Sequence, residues 1–153
     1  MKGIVIYDTS YGNTKAVAEA ISGTLKGSGI EVDTLYVKDI KKLRGQDYDF
    51  MILGSPTKFG TMSFTVKGFL GKVKKEEWLN KPFAAFDTEN PENIEKQQGS
   101  AAEKIAQKLK EKQMKQMGPV LKAVVLGWKG PMQEGEISRV KEYAKALVTD
   151  LNK

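Results

Sequence analysis

Residues 3–14 read Gly3-Ile4-Val5-Ile6-Tyr7-Asp8-Thr9-Ser10-Tyr11-Gly12-Asn13-Thr14, and the fold is decided in this stretch. An almost unbroken apolar run suits a strand buried on both faces of a parallel sheet better than the alternation of a half-exposed one. Hydroxyl-bearing and small residues follow, and then Val17, Ile21 and Leu25 recur at four-residue spacing, which predicts an amphipathic helix over 13–27. A strand that feeds a helix through a short polar loop is the opening of a βα unit.

The same alternation continues along the chain. Apolar segments at 49–54, 82–87 and 120–128 read as further buried strands, and 31–37 alternates as an edge strand does. Helical periods predict helices near 63–74, 100–117 and 135–152, whereas 38–47 is only weakly helical. Ser100 and Glu103 have capping-box spacing, and Gly118-Pro119 is placed to close the same helix. Five βα repeats call for one three-layer sandwich with right-handed crossovers and helices on both sheet faces, spanning 1–153. In such sheets a ligand lies beyond the carboxyl ends of the strands, where the winding reverses, so the loops after the first, third and fourth strands are the candidates.

Composition removes most chemistry that a protein can perform with its own side chains. With no cysteine and no histidine in 153 residues, disulfides, thiol nucleophiles and His-based triads are excluded, and redox work requires an organic cofactor. No apolar run approaches the roughly eighteen residues of a membrane span, and the opening MKGIVIYD is too short for a signal-peptide core. A cytoplasmic location without membrane contact is the expectation. The net charge of +6 raises the question of nucleic acid, but the lysines are scattered, as on solvated helix faces, and no nucleic-acid partner is expected.

The first loop gathers hydroxyls and backbone N–H groups at a helix start, which suits an anion. It has no lysine before Lys15, and the chain contains neither GxxxxGK[ST] nor GxGxxG, so a phosphate monoester held by hydrogen bonds fits better than a triphosphate. The competing reading makes Thr9, Ser10 and Asn13 ordinary turn and cap residues.

The stretch DTSYGNTKAVA resembles the phosphate loop of flavodoxins, [ST]-x-[ST]-x-G-N-T after an apolar strand. Ser55-Pro56-Thr57-Lys58-Phe59-Gly60 resembles the G-[ST]-P-[TI]-x-x-G loop of the same family, and the likeness covers essentially the whole chain. The absence of a twenty-residue insertion in the last strand resembles the short-chain group. The resemblance implies a five-stranded parallel sheet in the order 2-1-3-4-5, non-covalently bound FMN, and low-potential electron transfer by a monomer between a donor, such as a ferredoxin-linked oxidoreductase, and an acceptor enzyme. It places FMN phosphate ligands at Thr9, Ser10, Tyr11, Asn13 and Thr14, with Gly12 permitting the turn. It sets Pro56, Thr57, Lys58, Phe59 and Gly60 beside the isoalloxazine ring, with Gly60 as the peptide that flips when the flavin N5 gains a proton. It brings Asp87, Thr88 and Glu89 to the pyrimidine edge.

Two departures stand out. No aromatic residue lies between Phe86 and Trp128, so the family's usual stacked tyrosine is missing from the third loop. Typical flavodoxins are acidic, whereas this chain is basic; its stretch 87–95 carries Asp87, Glu89, Glu92 and Glu95 and reads as a local negative rim or as a solvated acidic loop. Lys58 beside the ring would favour the fully reduced anion, unless it points into solvent. The rival function is an FMN-dependent NAD(P)H:quinone reductase. A receiver domain is disfavoured, because Ser55-Pro56-Thr57 offers no phosphorylatable aspartate.

Overall fold

The computed structural model describes residues 1–96 and 99–153. Its strands are β1 (Lys2–Tyr7), β2 (Glu31–Tyr36), β3 (Phe50–Pro56), β4 (Pro82–Glu89), β5 (Lys115–Gln116) and β6 (Leu121–Val124). Its helices are α1 (Asn13–Gly27), α2 (Phe64–Lys72), α3 (Lys75–Trp78), α4 (Pro91–Lys96), α5 (Ala101–Glu111) and α6 (Glu136–Leu151). All strand pairs in the sheet are parallel, in the order β2-β1-β3-β4-β5, with β6 also on β4.

The central strands bury side chains on both faces, as their apolar runs predict. Ile4, Ile6, Met51, Leu53, Phe83 and Ala85 pack under α2 and α5, while Val5, Phe50, Ile52, Ala84 and Phe86 pack under α1 and α6. Gly3 and Gly54 sit in register with Phe50 and Phe86, and a Cβ on either would lie within 2.2 Å of the facing ring. These glycines let the two phenyl rings lie across the neighbouring strand.

The structure corrects the expected elements in four places. The helix predicted over 100–117 starts on its Ser100 cap but ends at Glu111, because Gln113 adopts a left-handed conformation (φ 62°) and Met114 N–H bonds back to Leu109 O at 3.1 Å. This is a Schellman ending with glutamine where glycine is usual. Gly118-Pro119 therefore does not close a helix; it separates β5, paired to Pro82 and Phe83, from β6, paired to Phe86–Glu89, so the fifth place in the sheet is filled by two short strands. Of the strand expected over 120–128, Val125 N–H still bonds Glu89 O of β4 at 2.9 Å and residues 126–128 leave the sheet. The stretch 38–47 holds no α-helix, only 3-10 turns at Val37–Asp39 and Gly45–Asp47, and the helix expected over 63–74 is succeeded by the separate α3.

Candidate functional site

A cleft of about 150 Å³ opens beyond the carboxyl ends of β1, β3, β4 and β6. Its first wall is the β1–α1 loop. Asp8, buried, accepts a hydrogen bond from Thr9 N–H at 2.9 Å, and Thr9 Oγ1 accepts one from Gly12 N–H at 2.9 Å. Gly12 takes φ 93°, which a side chain would resist, and α1 begins without a side-chain cap. The first-turn N–H groups that no helical carbonyl satisfies are thereby left to the cleft. Thr14, buried, shares a 2.8 Å hydrogen bond with Thr88 on β4, and Asn13 Nδ2 donates to Lys129 O at 3.1 Å, tying this loop to the one after β6.

The second wall follows β3. Thr57 N–H bonds Thr88 O at 2.9 Å, and Thr57 Oγ1 accepts Ala101 N–H at 3.0 Å, so the loop is pinned both to β4 and to the start of α5. Lys58 and Thr61 exchange backbone hydrogen bonds of 2.9 and 3.1 Å around Phe59 and Gly60, whose φ values are 54° and 76°. Two consecutive positive φ values define a type I′ hairpin turn. Gly60 takes its angle without penalty; Phe59 takes a left-handed angle rare for a bulky residue and stands 94% exposed at the tip. Lys58 crosses to the first loop, where its Nζ donates to Ser10 Oγ at 3.0 Å. It points toward the hydroxyl-lined end of the cleft.

The third expected group behaves differently. Thr88 and Glu89 line the cleft, but all three of Asp87, Thr88 and Glu89 lie within β4, not in a loop. Asp87 is fully buried and turned toward α5, accepting Ala102 N–H at 3.0 Å and both hydrogen-bonding and ion-pairing with Lys122 Nζ at 3.0 Å. Lys122 also reaches Glu89 Oε1 at 2.5 Å. The negative rim, one of the two readings of 87–95, is thus not formed by Asp87 or Glu89, which are interior and paired; Glu92 is exposed, and the side chain of Glu95 lies outside the described ones. Burial raises the pKa of Glu89 above the ordinary carboxylate value, opposed by Lys122 and reinforced by Asp87 and Glu103.

Thr9, Ser10, Tyr11, Asn13, Thr14, Pro56, Thr57, Lys58, Phe59, Thr88 and Glu89 are brought together around the cleft; Gly12, Gly60 and Asp87 do not line it. Asn90, Val125, Gly127 and Trp128 also line it and were missed from sequence. The loop after β6 closes on itself, with Leu126 N–H bonded to Pro131 O at 2.8 Å, and it leaves Trp128 71% exposed. The signal for it was a tryptophan set between glycines in Gly127-Trp128-Lys129-Gly130, just beyond a strand's carboxyl end. An aromatic group is therefore present at the cleft, contributed by a different loop from the one where it was sought. Lys129 Nζ lies 5.9 Å from the Tyr11 ring centroid. Among the described residues no cluster of acidic side chains could hold a metal ion, and no helix is long and apolar enough to cross a membrane.

The donor set suits a mononucleotide flavin, with a helix start and hydroxyls for a phosphate and exposed aromatic rings in the same cleft. Comparison with known proteins bears on the same point. The chain is 37% identical over 78 residues to a flavodoxin of Aquifex aeolicus, covering 50% of this chain and 42% of that protein, so the match spans less than half of the relative's length. It is 31% identical over 115 residues to an NAD(P)H dehydrogenase (quinone) of Archaeoglobus fulgidus, covering 57% and 60% of the two chains. Its fold superposes on a flavodoxin from the domain Archaea with a TM-score of 0.83 and 25% identity, covering all of both chains. Because the flavodoxin domain model also matches residues 4–128, the chain belongs to the flavodoxin domain family, whose members bind FMN.

Proposed function

We propose that the chain acts as a single domain that carries electrons on FMN held in this cleft. The observation that carries the reading is the mixed lining of the cleft, hydroxyls and helix N–H groups together with the exposed rings of Phe59 and Trp128. When bound, FMN supplies one-electron redox chemistry. The protein's part is to hold and orient it. Ser10, Thr14 and the first-turn N–H groups of α1 donate to the phosphate, while the Asn13 side chain is engaged with Lys129 O and contributes through its backbone. The bond to Ser10 sets the Lys58 ammonium beside the phosphate as a counter-charge, rather than beside the ring. Phe59 and Trp128 offer apolar faces from two separate loops, and their exposure leaves a ring edge open to a protein partner. Pro56, Thr57 and Gly60 fix the hairpin that carries Phe59, and Thr88 backs Thr14. Asp87 acts only through α5 and Lys122.

In this reading the protein is a cytoplasmic monomer that takes electrons from a reductase, such as a ferredoxin-linked oxidoreductase, and passes them to an acceptor enzyme. The likeness to a quinone dehydrogenase sustains one rival, an FMN-dependent NAD(P)H:quinone reductase. The deciding experiment is the visible spectrum of purified protein during stepwise chemical reduction. Flavin absorbance lost in two resolved one-electron steps, with slow direct reaction with NADH or NADPH, supports the carrier. Rapid NAD(P)H oxidation with quinone by an oligomer supports the rival.

A further inference from the structure

A groove of about 520 Å³ runs along the flank of the molecule, between the β2–β3 crossover and α2–α3. It exists because that crossover holds no α-helix: its irregular chain leaves one side of α2 uncovered. The groove is ordered. Lys81 Nζ bonds the carbonyls of Gly45 and Tyr48 at 2.5 and 2.8 Å, and Gly45 is pressed so closely on Glu77 that a Cβ there would lie 2.6 Å from it. Ile40 and Leu43, both half-buried, supply an apolar floor over the buried Phe69 and Val73. Lys38, Lys41, Lys42, Arg44, Lys72 and Lys74 stand along it, all exposed, against the single carboxylate of Glu77. Six cations less one carboxylate give +5, beside +6 for the whole chain. None of the six is in an ion pair among the described residues.

We infer that this groove binds an acidic segment of a partner protein, with apolar side chains seated on the floor and carboxylates meeting the lysines. Charge complementarity selects the sign of the occupant, and unpaired cations along a concave wall also focus the field that speeds its approach. The floor selects the class. Single-stranded nucleic acid needs aromatic side chains open for stacking, but Phe69 and Trp78 are 8% and 1% exposed. A flat bilayer surface would meet the lysines without reaching the recessed floor. A protein segment carries both charges and apolar anchors. The groove borders α2, which begins three residues after the Lys58–Thr61 hairpin. The inference does not depend on the flavin reading, since binding can be read without electron transfer.

The test uses the purified protein, with whatever cofactor it carries, at low salt and a synthetic peptide of glutamates interleaved with leucines, followed by fluorescence anisotropy and by backbone amide NMR shifts. The expected result is shifts concentrated at 37–44 and 65–78, affinity lowered about tenfold by Lys41→Glu with Lys72→Glu, and lowered several-fold when the leucines become serines. Unchanged amide NMR shifts away from the groove in the double variant show that the fold is kept. Shifts confined to the cleft, indifference to the leucines, or no binding would overturn the inference. So would tighter binding of oligothymidylate or of phosphatidylserine vesicles than of the peptide.

Discussion

The carboxylates at the end of β4 and the cations of the flank groove are both dense in charge, yet the fold treats them oppositely. Asp87 and Glu89 are buried and share one ammonium, Lys122, with Ala102 N–H closing the remaining side of Asp87. The groove cations face solvent with no counter-charge within 4.0 Å among the described residues. The acidic group is therefore a part of the scaffold that fixes β4, β6 and α5 beneath the cleft, while the basic group is a part of the surface. Sequence shows how many charges a stretch holds; partnering determines whether they stabilise the fold or address another molecule.

The sharpest way to break this comparison is Lys122→Met, which strands two carboxylates in the interior. Removing one member of a buried ionic group costs about 3–5 kcal/mol, so the urea midpoint should fall steeply at pH 7. The loss should be partly recovered near pH 5. A carboxyl whose folded pKa is raised, as that of Glu89 is by burial, loses stability as pH rises from its ordinary value of 4.5 through its folded pKa. A loss below about 1 kcal/mol would show that the interior does not rely on this ammonium.

A smaller effect is expected one strand further along. Glu136, at the start of α6, has its pKa lowered chiefly by its hydrogen bond to Arg139, and it also accepts Val124 N–H at 2.8 Å. Arg139 in turn reaches Lys122 O, so this pair fixes β6 from the other side. A depressed carboxyl contributes stability above its ordinary value of 4.5 that is lost as pH falls through the folded pKa, the opposite slope to Glu89. Glu136→Gln should therefore cost about 1–2 kcal/mol at neutral pH and flatten the acid side of the stability profile. Parallel profiles for the variant and the parent would remove Glu136 from the acid response.

Lys58 stands between the two regimes, exposed yet partnered. Lys58→Gln should weaken FMN binding by roughly two- to fivefold at low salt, with less change at high salt and none for riboflavin. Equal loss for FMN and riboflavin by calorimetry would return the ammonium to the ring, the place that the sequence suggested for it. Smallest of all should be the groove: Lys41→Gln with Lys72→Gln should change the unfolding free energy by no more than about 0.5 kcal/mol, because no contact is lost. A larger change would mean that these lysines serve the fold after all.

The first wall of the cleft was the most legible part of the site. Residues 9–14 combine a local strand-to-helix transition with small hydroxyl residues, and α1 occupies the 13–27 predicted for it. The second wall was legible as a loop, but its type I′ turn places Phe59, not only Gly60, at positive φ, which no propensity of phenylalanine announces. The interior, paired positions of Asp87 and Glu89 were not legible, because charge in a sequence is taken for surface unless a partner is visible. Their partner Lys122 is thirty-five and thirty-three residues away. Trp128 was in view as a residue but not as a cleft residue, for its place depends on the break between β5 and β6 and on the Asn13–Lys129 tie.

By itself the sequence determined the periodic elements, hence the βα alternation, the parallel sheet and the carboxyl-end position of the cleft, because burial on both sheet faces forces apolar runs and crossover geometry allows few topologies. Tertiary structure alone decided where the charges went. The lysines of 38–44 and 72–74 look scattered along the chain, and only the packing of a helix-free crossover beside α2 collects them on one groove. An electrostatic site depends on distances across the fold, and a charge thirty residues distant in sequence can stand a few ångströms away in space.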